Sequence, residues 1–319
     1  MKTGVGRGVP GVVTAVLLAV VALMPATARG QLFVVFSGGA PNTGTIGEYS
    51  TSGTPINPTL ITGLNFPNGL AVSGSDLFVT TYNNSTGKGA IGEYTTSGAT
   101  VNAALVSGLP YNPVGVAVSG TNLFVVGGGS YSNQHTGTVG EYTTSGATVN
   151  ASLVMTGLST PNAVAVSGLS LFVSNYYGGS VGEFTLGATP GTLSSSSPSF
   201  ITGLGSPTAL AVSGSNLFVM NFGAEIAEYT TAGAPVNTNL VQTFGSSDYG
   251  FVVVGPDIFV TSNSNESITE YNTSGATLNT HLVTGVYYPA GIVYVPEPGV
   301  LSLAALGGAV LMLRRRGRS

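Results

Sequence analysis

Six glutamates stand at matching places along the chain: Glu48, Glu93, Glu141, Glu183, Glu228 and Glu270, each inside Ile-Gly-Glu-Tyr or a close variant. Carboxylates that converge could hold a divalent cation or work as an acid–base pair, so these are the first residues to weigh. Other groups able to do chemistry are few. His135 sits in Ser132-Asn133-Gln134-His135-Thr136 with no acid close in sequence, and His281 stands alone. There is no Cys, which removes disulfides, thiolate metal sites and cysteine nucleophiles. No hydrolase elbow, phosphate-binding glycine loop or metal-spaced histidine pair occurs.

Charge narrows the choice further. Seven of the eight basic residues lie near the ends: Lys2, Arg7, Arg29, Arg314, Arg315, Arg316 and Arg318. Between Gln31 and Val295 only Lys88 faces eleven acids, a formal charge of −10. Such a body cannot neutralise a row of phosphates, which excludes nucleic acid as a partner.

The elements that carry the glutamates follow from a repeat. The phenylalanines of a Leu-Phe-Val motif are Phe33, Phe78, Phe124, Phe172, Phe218 and Phe259, spaced by 45, 46, 48, 46 and 41 residues. The glutamate follows about thirteen residues later in each copy. A third segment, Gly-Leu-x-x-Pro-x-Gly-Leu-Ala-Val-Ser-Gly, is clear at 63–74 and looser in the other copies. Rich in Val, Leu, Ile and Phe and broken by turn residues, each unit reads as four short strands. In the first full copy these are strand a (Gly69–Ser73), b (Leu77–Thr81), c (Ala90–Thr95) and d (Val101–Val106). The body is thus expected to be all-β: a six-bladed β-propeller of four-stranded blades over residues 31–295. A β-solenoid competes, but its rungs are usually shorter.

Chain order predicts the closure. The first repeat enters on strand b at Leu32, and the last ends on an unmatched strand a, Ala290–Val295. The C-terminal strand should therefore become the innermost strand of the first blade and remove an unpaired edge. Pro58 falls in the first strand d, the outer edge, where a missing N–H is tolerated. Strand c lies two strand spacings outside strand a, which puts neighbouring glutamates about 15 Å apart. They cannot converge on one ion, and a structural role with backbone or hydroxyl donors is expected.

A ligand is expected instead at the axis mouth, where the d–a and b–c loops meet. The sequence offers Asn68, Asn112, His135, Asn162, Asn175, Asn221, Asp248 and Tyr249 as a candidate ligand face, with Tyr82, Asn83 and Asn263 nearby. Asp248 is the one acid placed at a d–a junction; Glu225 and Glu266 fall in b–c loops. Amides and Tyr suit contacts with sugars, and no catalytic residue or cofactor is assigned.

The repeat resembles NHL-type propeller units. Pro67-Asn68-Gly69-Leu70-Ala71-Val72 followed by Leu77-Phe78-Val79 matches the first half of that pattern. The second half departs: the family's Asp is replaced by Phe36, Thr81, Gly127, Asn175, Asn221 and Ser262, and its basic residue by Thr45, Ala90, Thr138, Ser180, Glu225 and Ser267. Six-bladed relatives of the gluconolactonase type imply a divalent metal at the axis, held by carboxylate and amide oxygens. A metal-dependent lactonase or lyase is therefore the alternative to a non-enzymatic binding or structural module.

Both ends read as addresses, each with a hydrophobic helix expected. Residues 1–28 form a signal peptide: Lys2 and Arg7, an apolar stretch from Val12 to Met24, and Ala26 and Ala28 flanking Thr27 as the cleavage signal. Residues 296–319 run Pro296-Glu297-Pro298, then 15 apolar residues from Gly299 to Leu313, then Arg314-Arg315-Arg316. As a helix the apolar run reaches about 22 Å, short of a hydrocarbon core of about 30 Å, which suits temporary anchoring with the arginines cytoplasmic. This ordered tail resembles the PEP-CTERM sorting signal of bacteria that export proteins alongside exopolysaccharide. The resemblance implies signal peptidase and the secretion machinery, then an exosortase-type membrane protease, as partners. It also implies a location in the cell envelope or outside the cell, with exopolysaccharide or other glycans as candidate ligands.

Overall fold

A computed structural model of the chain describes residues 30–128, 136–223, 225–242 and 248–297. The signal peptide, the apolar tail and its arginines, Pro298 and His135 lie outside the described residues. Gln31–Val295 forms one compact unit. The body is six antiparallel sheets of four strands each, and among the described residues it contains no helix long and apolar enough to cross a membrane. In the second blade the strands are Leu70–Ser73, Asp76–Asn83, Lys88–Thr95 and Thr100–Leu109, in spatial order. Each innermost strand touches the innermost strands of both neighbouring blades, so the six close into a ring: an all-β six-bladed propeller.

The Leu-Phe-Val strand explains why a ring is required. In the first blade Gln31–Phe36 pairs on both edges and is buried on both faces. Its Phe33 and Val35 pack with Leu77 and Val79 of the second blade, while Leu32 and Val34 pack with Phe259 of the sixth. The same handover repeats: Phe78 meets Leu123 and Val125, and Phe124 meets Leu171 and Val173. Phe172 then meets Leu217 and Val219, and Phe218 meets Ile258 and Val260. Alternation along the strand thus sends Phe forward and the residues flanking it backward. Removing one such Phe would cost about 3–5 kcal/mol, and each blade relies on both neighbours for it.

Two further joints hold neighbouring blades. The glycine of the c–d turn is in the left-handed region, and an added Cβ at Gly53, Gly98, Gly146 or Gly275 would strike the carbonyl of Leu282, Leu60, Leu105 or Leu240 in the preceding blade. Nearer the axis, Pro67, Pro113 and Pro161 lie against Gly44, Gly89 and Gly137 of the preceding blade, where a side chain would collide with the proline ring. Within strand c, the glycine of Gly-Glu-Tyr leaves room for the ring two residues on, as Gly92 does for Tyr94.

The closure is as the chain order predicts. Pro289–Val295 pairs with Gln31–Phe36, with Gln31 opposite Val295 and Val34 opposite Ile292, and forms the innermost strand of the first blade. Pro58 lies on the outermost strand, Pro55–Leu64. Truncation at Thr284 removes that inner strand and exposes one edge of the Gln31–Phe36 strand. The truncated protein should unfold over a broader range and at lower temperature than the whole chain in calorimetry, and an unchanged sharp transition would show that the ring does not depend on this joint.

Candidate functional site at the propeller axis

Each of the six innermost strands carries a small residue at or near its start: Gly69, Gly115, Ala163, Ala209, Gly250 and Gly291. A Cβ on Gly69, Gly115 or Gly291 would run into the backbone of the next blade. The inner strands also slip register at their start, between Pro113 and Gly115, Pro161 and Val164, Pro207 and Ala209, and Asp248 and Gly250. Three buried hydroxyls on the second strands take up backbone groups at this level. Thr80 Oγ1 accepts from Gly69 N–H at 2.7 Å, Ser174 Oγ from Ala163 N–H at 2.8 Å, and Thr261 Oγ1 from Gly250 N–H at 3.1 Å. The Thr261 hydroxyl in turn donates at 2.9 Å to the carbonyl of Ala290, in the next blade.

The strands leave between them a cavity of about 370 Å³, at the small end of ligand-sized sites. All six blades contribute to its lining, and no acidic, basic or histidine side chain is among the lining residues described. Of the sequence candidates, Asn68, Asn112 and Asn162 line it. Asn263 borders a second recess with Ser37, Asn68 and Tyr288.

Other sequence candidates are placed elsewhere. Asn175 is 1% exposed, and its amide is occupied by Ser159 N–H, the Gly157 carbonyl and Ser180 Oγ. It pins the d–a junction beneath the mouth, and Asn221, at the matching position of the fifth blade, is buried likewise. Neither belongs to the cavity lining. Asn83 caps its own b–c turn, accepting from Ser85 and Thr86 N–H. Glu225 lies at the start of a strand c, where the Asn239 amide of the outermost strand reaches its carboxylate. His281 is exposed on an outermost strand, bonded to Thr280. Asp248 and Tyr249 begin the innermost strand of the sixth blade; their side chains lie outside the description.

Sequence reasoning did not find the aromatic wall of the cavity, Tyr176, Tyr177 and Phe222. Tyr176 and Phe222 directly follow Asn175 and Asn221, ahead of the glycines of the b–c turns, and that placement was the available signal. Their backbones extend the a–b ladder by one step: Tyr176 N–H donates to Thr160 O at 3.1 Å and Phe222 N–H to Ser206 O at 2.9 Å. Thr160 and Ser206 are left-handed residues, with φ of 50° and 59°, each just before a proline. Phe66 and Tyr288 repeat this before Pro67 and Pro289, with φ of 41° and 54°. Left-handed backbone is uncommon for residues other than glycine, and the position before proline is restricted as well. Four such residues at the d–a junctions mark this end of the ring as the place where the backbone is held in sparsely populated conformations.

The glutamates lie apart, one per blade on strand c, and each described donor is neutral. Glu141, 2% exposed, accepts from the Asn122 amide at 2.9 Å and from Gly191 N–H of the fourth blade at 2.9 Å. Glu183 accepts from Ser170 Oγ at 2.7 Å, and Glu228 from the Asn216 amide at 2.6 Å. Backbone and hydroxyl donors were expected; the asparagine amides are an addition. In the second blade the position of Asn122 is taken by Asp76. Burial pushes the Glu93 carboxyl above the usual range, and the charge of Asp76 adds to this. Burial also raises Glu48 and Glu141, the latter partly offset by the Gly191 N–H. Among the described residues, no three acidic or histidine side chains come together in a way that could hold a metal ion.

No family model matches the chain, and no curated protein matches it either. Solved structures do match. TolB from Acinetobacter baumannii is 13% identical with a TM-score of 0.62, over 89% of this chain and 71% of that one. A chain of a nidogen–laminin complex is 15% identical with a TM-score of 0.60, over 82% and 97%. A gluconolactonase of Xanthomonas campestris is 15% identical with a TM-score of 0.55, over 74% and 85%. At such identities the likeness is one of fold.

The three raised carboxyls give a pH response with a definite sign. Their contribution to stability is fully present below the unfolded value near 4.5 and is lost as pH rises through the higher folded values. The melting temperature should therefore be higher at pH 4.5 than at pH 7.5. Glu93→Gln should leave stability at pH 7.5 within about 1 kcal/mol of the parent and flatten the pH response. Glu141→Gln turns an amide donor toward Asn122 or Gly191 and should destabilise by about 1–3 kcal/mol. Thermal melts of both variants across this range, with calcium and with chelator, check the signs; a large calcium-dependent stabilisation abolished by Glu93→Gln would instead reveal a local metal site.

Proposed function

We propose that the protein is an exported cell-envelope or extracellular-matrix module, whose propeller binds rather than catalyses. The observation that carries this reading is the chemistry of the axial cavity: an aromatic and amide lining, shared by all six blades, with no charged side chain among the described lining residues. Hydrolysis of a lactone by a metal ion needs oxygen or nitrogen ligands convergent on the metal and a group that activates water. The lactonase or lyase reading draws on the likeness to a gluconolactonase, but the same fold serves in a protein complex and in TolB, so the fold does not choose. Asp248, at the start of an innermost strand, is the acid on which a metal-dependent alternative would turn.

Export is carried by the sequence of the two ends. The closing strand ends at Val295, and Pro296 and Glu297 follow at once. Processing within Pro296-Glu297-Pro298 would release the apolar tail and leave the closing strand whole, which suits a folded body handed from membrane to surface.

Metal analysis and activity test the binding reading directly. Purified protein should carry no stoichiometric divalent metal and should not accelerate gluconolactone hydrolysis with added calcium, manganese or zinc. Bound metal with lactone turnover that is lost on chelation and in Asp248→Asn would establish the enzyme instead. For sorting, replacing Pro296-Glu297-Pro298 by alanines should leave unprocessed chain in the membrane fraction. Intact-mass analysis of surface material reads this, and a normal mature species from the variant would refute the sorting role of the motif.

A further inference from the structure

We propose that the mouth of the axial cavity is a subsite for the ring of an uncharged saccharide; this rests on the binding-module reading and names its ligand class. The first support is the aromatic wall. Tyr176 meets Tyr177 edge to face at 5.0 Å between ring centres, and meets Phe222 of the next blade edge to face at 5.9 Å. Held from two sides, Tyr176 braces the other two rings, which remain 38% and 45% exposed. Backbone bonds fix their loops, Tyr177 N–H to Ser159 O at 3.3 Å and Phe222 N–H to Ser206 O at 2.9 Å. Two large rings braced in place and still open to solvent add little to the core but offer flat apolar faces to a ligand.

The amides are the second support. Asn68, Asn112 and Asn162 line the same cavity, and among the described residues no hydrogen bond within the protein occupies their side chains. Asn175, by contrast, spends its whole amide on the backbone and a serine. Charge is the third. An ionised ligand would shed water against a described lining that offers no countercharge, and a wholly apolar ligand would leave the amides without partners. A pyranose ring answers both conditions: its C–H face lies on an aromatic ring, and its hydroxyls donate to and accept from the amides. A cavity of about 370 Å³ suits one or two sugar units rather than an enclosed chain.

The test uses the full-length protein in a detergent without a sugar head group. It is titrated with glucose, galactose, mannose and N-acetylglucosamine, and with glucuronate and glucosamine as charged counterparts. Saturation-transfer NMR and calorimetry read the binding. At least one neutral sugar should bind, about tenfold or more tightly than its charged counterpart. Tyr177→Ala and Phe222→Ala should each weaken it about tenfold without moving the melting temperature, and Tyr177→Phe should retain it. Failure of all four neutral sugars to bind, or unchanged affinity in the Tyr177→Ala/Phe222→Ala double variant, would overturn the proposal. Metal-dependent lactone turnover would overturn the binding-module reading instead, and the two failures are separable because one reads sugar affinity and the other reads catalysis.

Discussion

A strand buried on both faces cannot be completed by the blade that owns it, and this constraint shapes the whole molecule. Leu-Phe-Val strands such as Leu77, Phe78 and Val79 are almost wholly buried, yet the four-stranded sheet around them covers only their edges. Their faces must be covered by the sheets on either side. A linear stack of such blades would end in two bare apolar faces, whereas a ring leaves none. Sharing one blade between the two ends of the compact body makes closure part of folding, because the first blade lacks its inner strand until Pro289–Val295 arrives.

Closure then dictates what the axis can be. Where neighbouring inner strands touch, Gly69, Gly115 and Gly291 have no room for a side chain against the next blade, and hydroxyls such as Thr80 and Thr261 serve backbone groups there. Between the inner strands, and lined by these same glycines, a cavity opens. Its chemistry is set by loops rather than by the repeat: Tyr176 and Tyr177 belong to one b–c turn and Phe222 to the next, so the aromatic wall covers one side of a ring whose scaffold is nearly sixfold. Function is free to vary at such loops because the packing that holds the ring lies in the strands.

The strands, their order, the closing partner and the edge position of Pro58 were legible because repetition exposes them. A motif seen six times reports its own boundaries, and alternation within it reports which faces are buried. The mouth was legible only in part. Asn68, Asn112 and Asn162 reach it, but Asn175 and Asn221 are buried at the ends of their strands, Asn175 with its amide taken by backbone groups and Ser180. The aromatic wall was missed for a different reason. Tyr176 and Phe222 share one position after the strand b asparagines, but nothing in that local pattern separates an exposed aromatic ring from a buried one.

Scarcity of positive charge decides how the six glutamates differ. With only Lys88 in the body, a carboxylate at a blade interface must rely on neutral donors. The residue two places before the Phe of the motif is the natural source, because it lies diagonally across from the glutamate on the neighbouring strand. In the third, fourth and fifth blades that residue is Asn122, Ser170 and Asn216, and each donates to its glutamate. In the second it is Asp76, which repels Glu93 instead. Asp76 thus sets Glu93 apart from the three glutamates that find a neutral donor at that position, and Glu93 is where acidification relieves the ring of both burial and a neighbouring charge.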